Sequence, residues 1–96
     1  MSEIISHTAL TTHSPPFSLA GGTTYQVMLT GTIADGLDSP ELLQQVNGNF
    51  VSLDPPVRYR KGQEGGSYRT KALPAGQFRW SIPGTGHSVS TRIIAG

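Results

Sequence analysis

Turn residues punctuate this chain so often that no long helix fits between them. Twelve glycines and seven prolines are spread over 96 residues. They fall as Gly21-Gly22, Gly48, Pro55-Pro56, Gly62, Gly65-Gly66, Pro74, Gly76 and Pro83-Gly84, among others. Glycine supplies positive φ and proline removes a backbone donor, so both break regular structure and favour turns. The runs between them alternate apolar and polar residues. Tyr25, Val27 and Leu29 alternate with Gln26, Met28 and Thr30; Phe78, Trp80 and Ile82 alternate with Gln77, Arg79 and Ser81. Val89, Thr91 and Ile93 share one side of the last run. Period two is the signature of a strand with one buried face.

The best short hairpin signal is Asn47-Gly48, between ELLQQV and FVSL. A helix over PELLQQV competes, since Glu, Leu and Gln favour helices, but Gly48 would stop it before it completed two turns. Asp54-Pro55-Pro56 is expected to break the chain. VRYR and SYRTKAL, flanking KGQEGG, then predict a second hairpin with a longer loop. Ala34 to Pro40 reads as loop, with Asp35 and Asp38 in turn roles. The expectation is an all-β antiparallel sandwich, immunoglobulin-like or jelly-roll-like, of roughly seven to eight short strands. Tyr25, Leu29, Phe50, Phe78, Trp80 and Ile93 are its expected core.

Residues 1–16 differ from the rest. Ser6, Thr8, Thr11, Thr12 and Ser14 dominate them and Pro15-Pro16 closes them. They read as an extended N-terminal arm that orders on a neighbour or frays, with the sandwich domain over residues 17–96. A domain this small has a thin stability margin. The chain holds no cysteine, so neither disulfides nor a thiolate metal site stabilises it. Oligomerisation or docking is the remaining route to extra burial.

Charge narrows the partners. Seven basic and six acidic residues give a formal net charge of +1, and charged residues are 14% of the chain. That is well below the usual quarter or so, and it steers the protein toward neither nucleic acid nor acidic lipid. No apolar run approaches a membrane span, and the first residues lack the basic and apolar regions of a secretory signal. The expected setting is a cytoplasm, with no membrane partner and no direct nucleic-acid contact. The densest charge is Arg58, Arg60, Lys61, Arg69 and Lys71 against Glu64. Alternation in the expected hairpin would align most of these cations on one face. That face is either a solvated guard against edge aggregation or a contact patch for an acidic protein surface.

No catalytic constellation is legible. His7, His13 and His87 are dispersed, with no metal-ligand spacing, and read as solvated polar residues. There is no G-x-S-x-G elbow. The carboxylates Glu3, Asp35, Asp38, Glu41, Asp54 and Glu64 fall in loops, in the arm or at a strand edge. GTGHSV lacks the third glycine and the following helix of a dinucleotide fingerprint, and KGQEGGS lacks the order of a phosphate loop. The reading expects no cofactor, no metal and no enzymatic activity.

Three segments carry a resemblance: LAGGTTY (Leu19 to Tyr25), LQQVNGNFVSL (Leu43 to Leu53) and LPAGQFR (Leu73 to Arg79). In these the chain resembles small β-sandwich structural proteins of tailed bacteriophages. The resemblance implies a virion protein on the capsid surface, made in the host cytoplasm. Capsid cement or decoration proteins fit a lone domain of this size best. Such a protein clamps neighbouring major capsid protein subunits and assembles as a dimer or trimer of itself. The contact residues expected on that reading are Ile4, Ile5, His7, Leu10 and His13 in the arm, with Arg58, Arg60, Arg69 and Lys71 in the basic hairpin. Two alternatives stay open. One is a carbohydrate- or receptor-binding module presenting Tyr25, Tyr59, Tyr68 and Trp80 as a platform. The other is a minor head or tail completion component.

Overall fold

A computed structural model describes residues 3–10, 13–34, 39–83 and 86–96, the first segment by its backbone course. The turn roles expected for Asp35 and Asp38, and half of the GTGH stretch, lie outside the described residues. Eight strands are described: β1 Glu3–Leu10, β2 Phe17–Leu19, β3 Tyr25–Thr32, β4 Glu41–Val46, β5 Asn49–Arg58, β6 Ser67–Arg69, β7 Gly76–Ser81 and β8 Ser88–Ala95. They form two four-stranded antiparallel sheets, ordered β1-β8-β3-β6 and β2-β7-β4-β5.

The pairing has one rule. β1 pairs β8, β2 pairs β7, β3 pairs β6 and β4 pairs β5. The chain is thus one long hairpin, with its tip at β4–β5, wound into two layers. The β3–β8 and β4–β7 ladders close the winding. First strand beside last, across two such sheets, is the jelly roll of the two expected sandwich types.

Alternation fills the space between the sheets. Tyr25, Val27 and Leu29 from β3 meet Phe78, Trp80 and Ile82 from β7 and its end, with Leu42, Tyr59, Val89 and Ile93, all at most 2% exposed. Each large apolar side chain fully buried in this way contributes about 1.5–3 kcal/mol. Of the expected core residues only Phe50 departs: it is half-buried and lies on an outer face. The turn parity explains this. The Asn47-Gly48 turn sets Phe50 opposite Gln45, and Leu42, opposite Trp80, points inward. Gln45, three positions on from Leu42, therefore points outward, and Phe50 shares its face.

Three further expectations change. Asp54-Pro55-Pro56 does not end a strand. Leu42 faces Val57 while Leu43 faces Ser52, so residues 53–56 have no register partner in β4 and form a bulge within β5. The segment 58–71 is not a hairpin. β5 belongs to one sheet and β6 to the other, so residues 60–66 cross between layers. The cause is Tyr59, wholly buried, whose hydroxyl is shared between the carbonyls of Val27 at 3.0 Å and Gly66 at 2.8 Å. A chain that buries Tyr59 in the core is carried from one layer to the other.

Nor does the division at residue 16 separate a free arm from a body. Residues Glu3–Leu10 are extended, as expected, but they lie along β8 as an edge strand. Pro15 and Pro16 cannot donate to β7 and continue the β2 ladder. Beyond them Ser14 takes over: its backbone N–H donates to Trp80 O at 2.9 Å, and its hydroxyl accepts from Trp80 N at 2.8 Å. His13 Nδ1 accepts from Ile82 N at 2.9 Å.

Candidate functional site

The expected contact residues are not assembled into one surface. Ile4, Ile5, His7 and Leu10 lie in β1, at the outer edge of its sheet. Arg58 and Arg69 sit in different sheets. Arg58 reaches Glu41 Oε1 at 3.3 Å, an ion pair with Arg58 42% and Glu41 13% exposed. Arg69 donates to the Gly96 carbonyl at 2.7 Å and to Thr24 Oγ1 at 3.2 Å. Arg60 is exposed at the start of the crossover, and Lys71 is exposed beyond β6. The single basic face required a hairpin, and the crossover disperses it.

The crossover is itself well tied. Glu64 Oε1 accepts from Gly62 N and Oε2 accepts from Ile33 N. Gly65 N donates to Leu29 O at 2.8 Å. Amide donors, beginning with its own, hold the Glu64 carboxyl below the usual carboxylate range. These bonds explain Glu64 as a loop anchor.

His87 and His13 are not simply solvated. His87 is 4% exposed. Its Nδ1 accepts from Ala34 N at 3.1 Å, and Nε2 lies 2.7 Å from Pro83 O. Through these two contacts His87 ties Ala34 to Pro83. His13, though exposed, uses Nδ1 as an acceptor for Ile82 N.

The aromatic platform is also overturned. Tyr25, Tyr59 and Trp80 are at most 2% exposed, and Tyr68 packs edge-on against Tyr59 with ring centroids 5.0 Å apart. The first three rings are core, and Tyr68 is half-buried against it.

What does converge is the outer face of β7, β4 and β5. Leu43 stands between Ser52 and Arg79 in register, with Phe50 diagonal to it. The Arg79 guanidinium carbon lies 5.3 Å from the Phe50 ring centroid, within cation–π range. Arg79 Nε is buried with no hydrogen-bond partner among the described residues. His13, Leu43, Phe50, Arg79 and Ser81 surround a shallow recess of ≈ 140 Å³. Apolar floor, aromatic wall and cationic rim suit an acceptor-bearing segment of another macromolecule. Aromatic and arginine side chains are the types that dominate protein contacts. The turn parity that places Phe50 outward was the sequence signal for this face; pairing it with Arg79 needed the β4–β7 register as well.

Among the described residues no group of three or more His, Cys, Asp or Glu could hold a metal ion, and no helix is long and apolar enough to cross a membrane. The chain matches no family model, no curated protein and no solved structure.

Proposed function

We propose that this chain is a non-enzymatic structural protein of a phage particle, a capsid cement or decoration protein that clamps neighbouring major capsid subunits. The observation that carries the reading is the Phe50–Arg79–Leu43 face, whose composition is that of a protein contact centre. The jelly roll adds support at the level of architecture, since viral capsid and lectin domains use it. The three motif segments point the same way by resemblance. Clamping needs only modest contacts, because many copies on one shell act together. The protein would be made in the host cytoplasm and carried on the virion surface.

The test is co-sedimentation with capsids stripped of this protein. The wild-type chain should pellet with them. Phe50→Ala combined with Arg79→Ala should weaken retention at least tenfold while the thermal melt stays close to wild type, as both side chains lie on an outer face. Failure of the wild-type chain to pellet would overturn the proposal, and glycan binding on the same face would become the leading question.

A further inference from the structure

We infer that the chain pairs with a second copy of itself through the free edge of β5, over residues 49–53, about a twofold axis at Val51. The inference does not rest on the capsid reading.

Each sheet has two edges: β1 and β6 in one, β2 and β5 in the other. A free edge is a template for another strand unless it is short, charged or interrupted by proline. β2 and β6 are three residues long. β1 includes Glu3 and His7. β5 differs. Its first five residues, NFVSL, contain neither charge nor proline, and no residue from Leu42 to Leu53 is charged. The large hydrophobics most exposed among the described residues are Val46 and Val51, each 42% exposed. Both lie on this hairpin. Gln44 faces Val51 and Val46 faces Asn49, so the two valines are diagonal neighbours on one sheet face.

The turn fixes which amides are available. In a two-residue hairpin the residues flanking the turn, here Val46 and Asn49, are a hydrogen-bonded pair, and bonded and non-bonded pairs then alternate. Asn49 and Val51 therefore bond inward to β4. Phe50 and Ser52 direct their N–H and C=O groups to the open edge. An antiparallel copy centred on Val51 sets Phe50 opposite Ser52 of its partner. Each such pair exchanges both N–H···O bonds, and Val51 meets Val51 at the close, non-bonded spacing of about 4.5 Å between Cα atoms. The valines then cover one another.

Charge selects the occupant. A neutral hairpin neither attracts a charged partner nor repels its own copy, and the segment complements itself about Val51. The turn at 47–48 on one side and the bulge with Pro55-Pro56 on the other limit pairing to this window. Twofold pairing uses the edge up, so association closes at two. A contact of this size is well below a standard interface, so the dimer should be concentration-dependent.

Sedimentation equilibrium of the full chain, without capsids, tests this. The wild type should show a reversible monomer–dimer equilibrium. Val51→Lys, which places like charges across the axis, should raise the dissociation constant at least tenfold while its melt stays near that of wild type. Register is tested by single cysteines in a chain that has none. Under mild oxidation Val51→Cys should cross-link to itself. Ser52→Cys should not, because its Cα atoms would stand roughly 8 Å apart, outside disulfide reach. A wild-type monomer at about 1 mM would overturn the inference, as would a Val51→Lys variant that dimerises normally. Cross-linking of Ser52→Cys as fast as Val51→Cys would do the same. Capsid binding stands or falls separately, in the pelleting assay.

Discussion

Two segments of this chain have the sequence look of hairpins, and only one is. Residues 41–58 fold back on themselves across Asn47-Gly48 and stay in one sheet. Residues 57–69, with a glycine-rich loop and alternating flanks, pass instead from one sheet to the other. Backbone chemistry decides the first case. Asn47 has φ 53° and Gly48 φ 83°, the paired positive values that let a two-residue turn match strand twist. Side-chain burial decides the second. Tyr59 in the core makes an edge-to-face pair with half-buried Tyr68, and ordinary hairpin pairing would forgo the Tyr59 hydroxyl bonds to Val27 and Gly66. A local turn signal predicts local structure when the turn is tight. When the loop is long, the core chooses.

The contrast is broken most directly at Tyr59. Tyr59→Ala should destabilise the domain by about 3–5 kcal/mol, measured by urea unfolding, because it empties a core site and releases the crossover. A loss under about 1 kcal/mol would mean that the loop holds its course without this anchor. Tyr59→Phe sharpens the point. It keeps the ring and should cost about 1 kcal/mol at neutral pH. Burial, with the neighbouring Tyr68, pushes the Tyr59 phenol above its ordinary value of 10.0. The folded state therefore keeps its proton where the unfolded chain releases it. The stabilisation is complete below about pH 10 and declines as pH rises above it, so the gap between wild type and Tyr59→Phe should narrow there.

The next effect belongs to the true hairpin. Gly48→Ala meets no steric obstacle, since nothing lies within 4 Å of an added Cβ. Its whole cost is the positive φ, about 1–2 kcal/mol. The same measurement should show no change in unfolding slope, as the variant strains a turn without exposing core. A neutral outcome would mean that the hairpin tip tolerates another turn type, and that the register used to direct Phe50 and Ser52 to the free edge is not fixed by Gly48.

These two outcomes mark what was legible in the residues. Period-two alternation located the β-runs and placed Tyr25, Leu29, Phe78, Trp80 and Ile93 inside, because alternation is a local property. Strand partners across the sandwich were not legible, since β1–β8 and β3–β8 pairing depends on how the long hairpin winds. Phe50 was misplaced by composition, where a large ring reads as core, although the turn parity held the answer. Pro15-Pro16 read as the end of an arm because nothing local shows that His13 and Ser14 bond to β7. Two of the resemblance segments also meet in space. Gly22 N donates to Leu73 O at 2.7 Å, and a Cβ on Gly21 would collide with the backbone of Ala75. Their residue types are what that close corner requires, whatever the function. The contact face on β7, β4 and β5 was hidden for the same reason as the strand order: Arg79 and Phe50 are 29 positions apart and meet only through the β4–β7 and β4–β5 registers.

The smallest effect tests the remaining tie of the crossover. Glu64 is the loop's only acid, and its carboxylate accepts amide N–H groups from Gly62 and from Ile33 just beyond β3. Its proton affinity is lowered first by its own backbone amide, against a desolvation effect in the other direction, then by Gly62 and Ile33 and by Lys61 nearby. A carboxyl with a depressed folded value stabilises the fold above its unfolded value, and that stabilisation is lost as pH falls through the folded value. Wild-type stability should therefore drop on acidification below the ordinary carboxylate range, and part of that drop should vanish in Glu64→Gln. Because the group is open to solvent, the difference should be small and shrink with added salt. The amide keeps one acceptor oxygen, so Glu64→Gln can retain the bond to Gly62 or to Ile33 but not both. If the loss falls on Ile33, hydrogen exchange at the Ile33 amide should speed up while the amides of β4 and β5 stay unchanged. Faster exchange throughout the Asn47-Gly48 hairpin as well would mean that hairpin and crossover unfold as one unit, and that the distinction between them is one of geometry and not of stability.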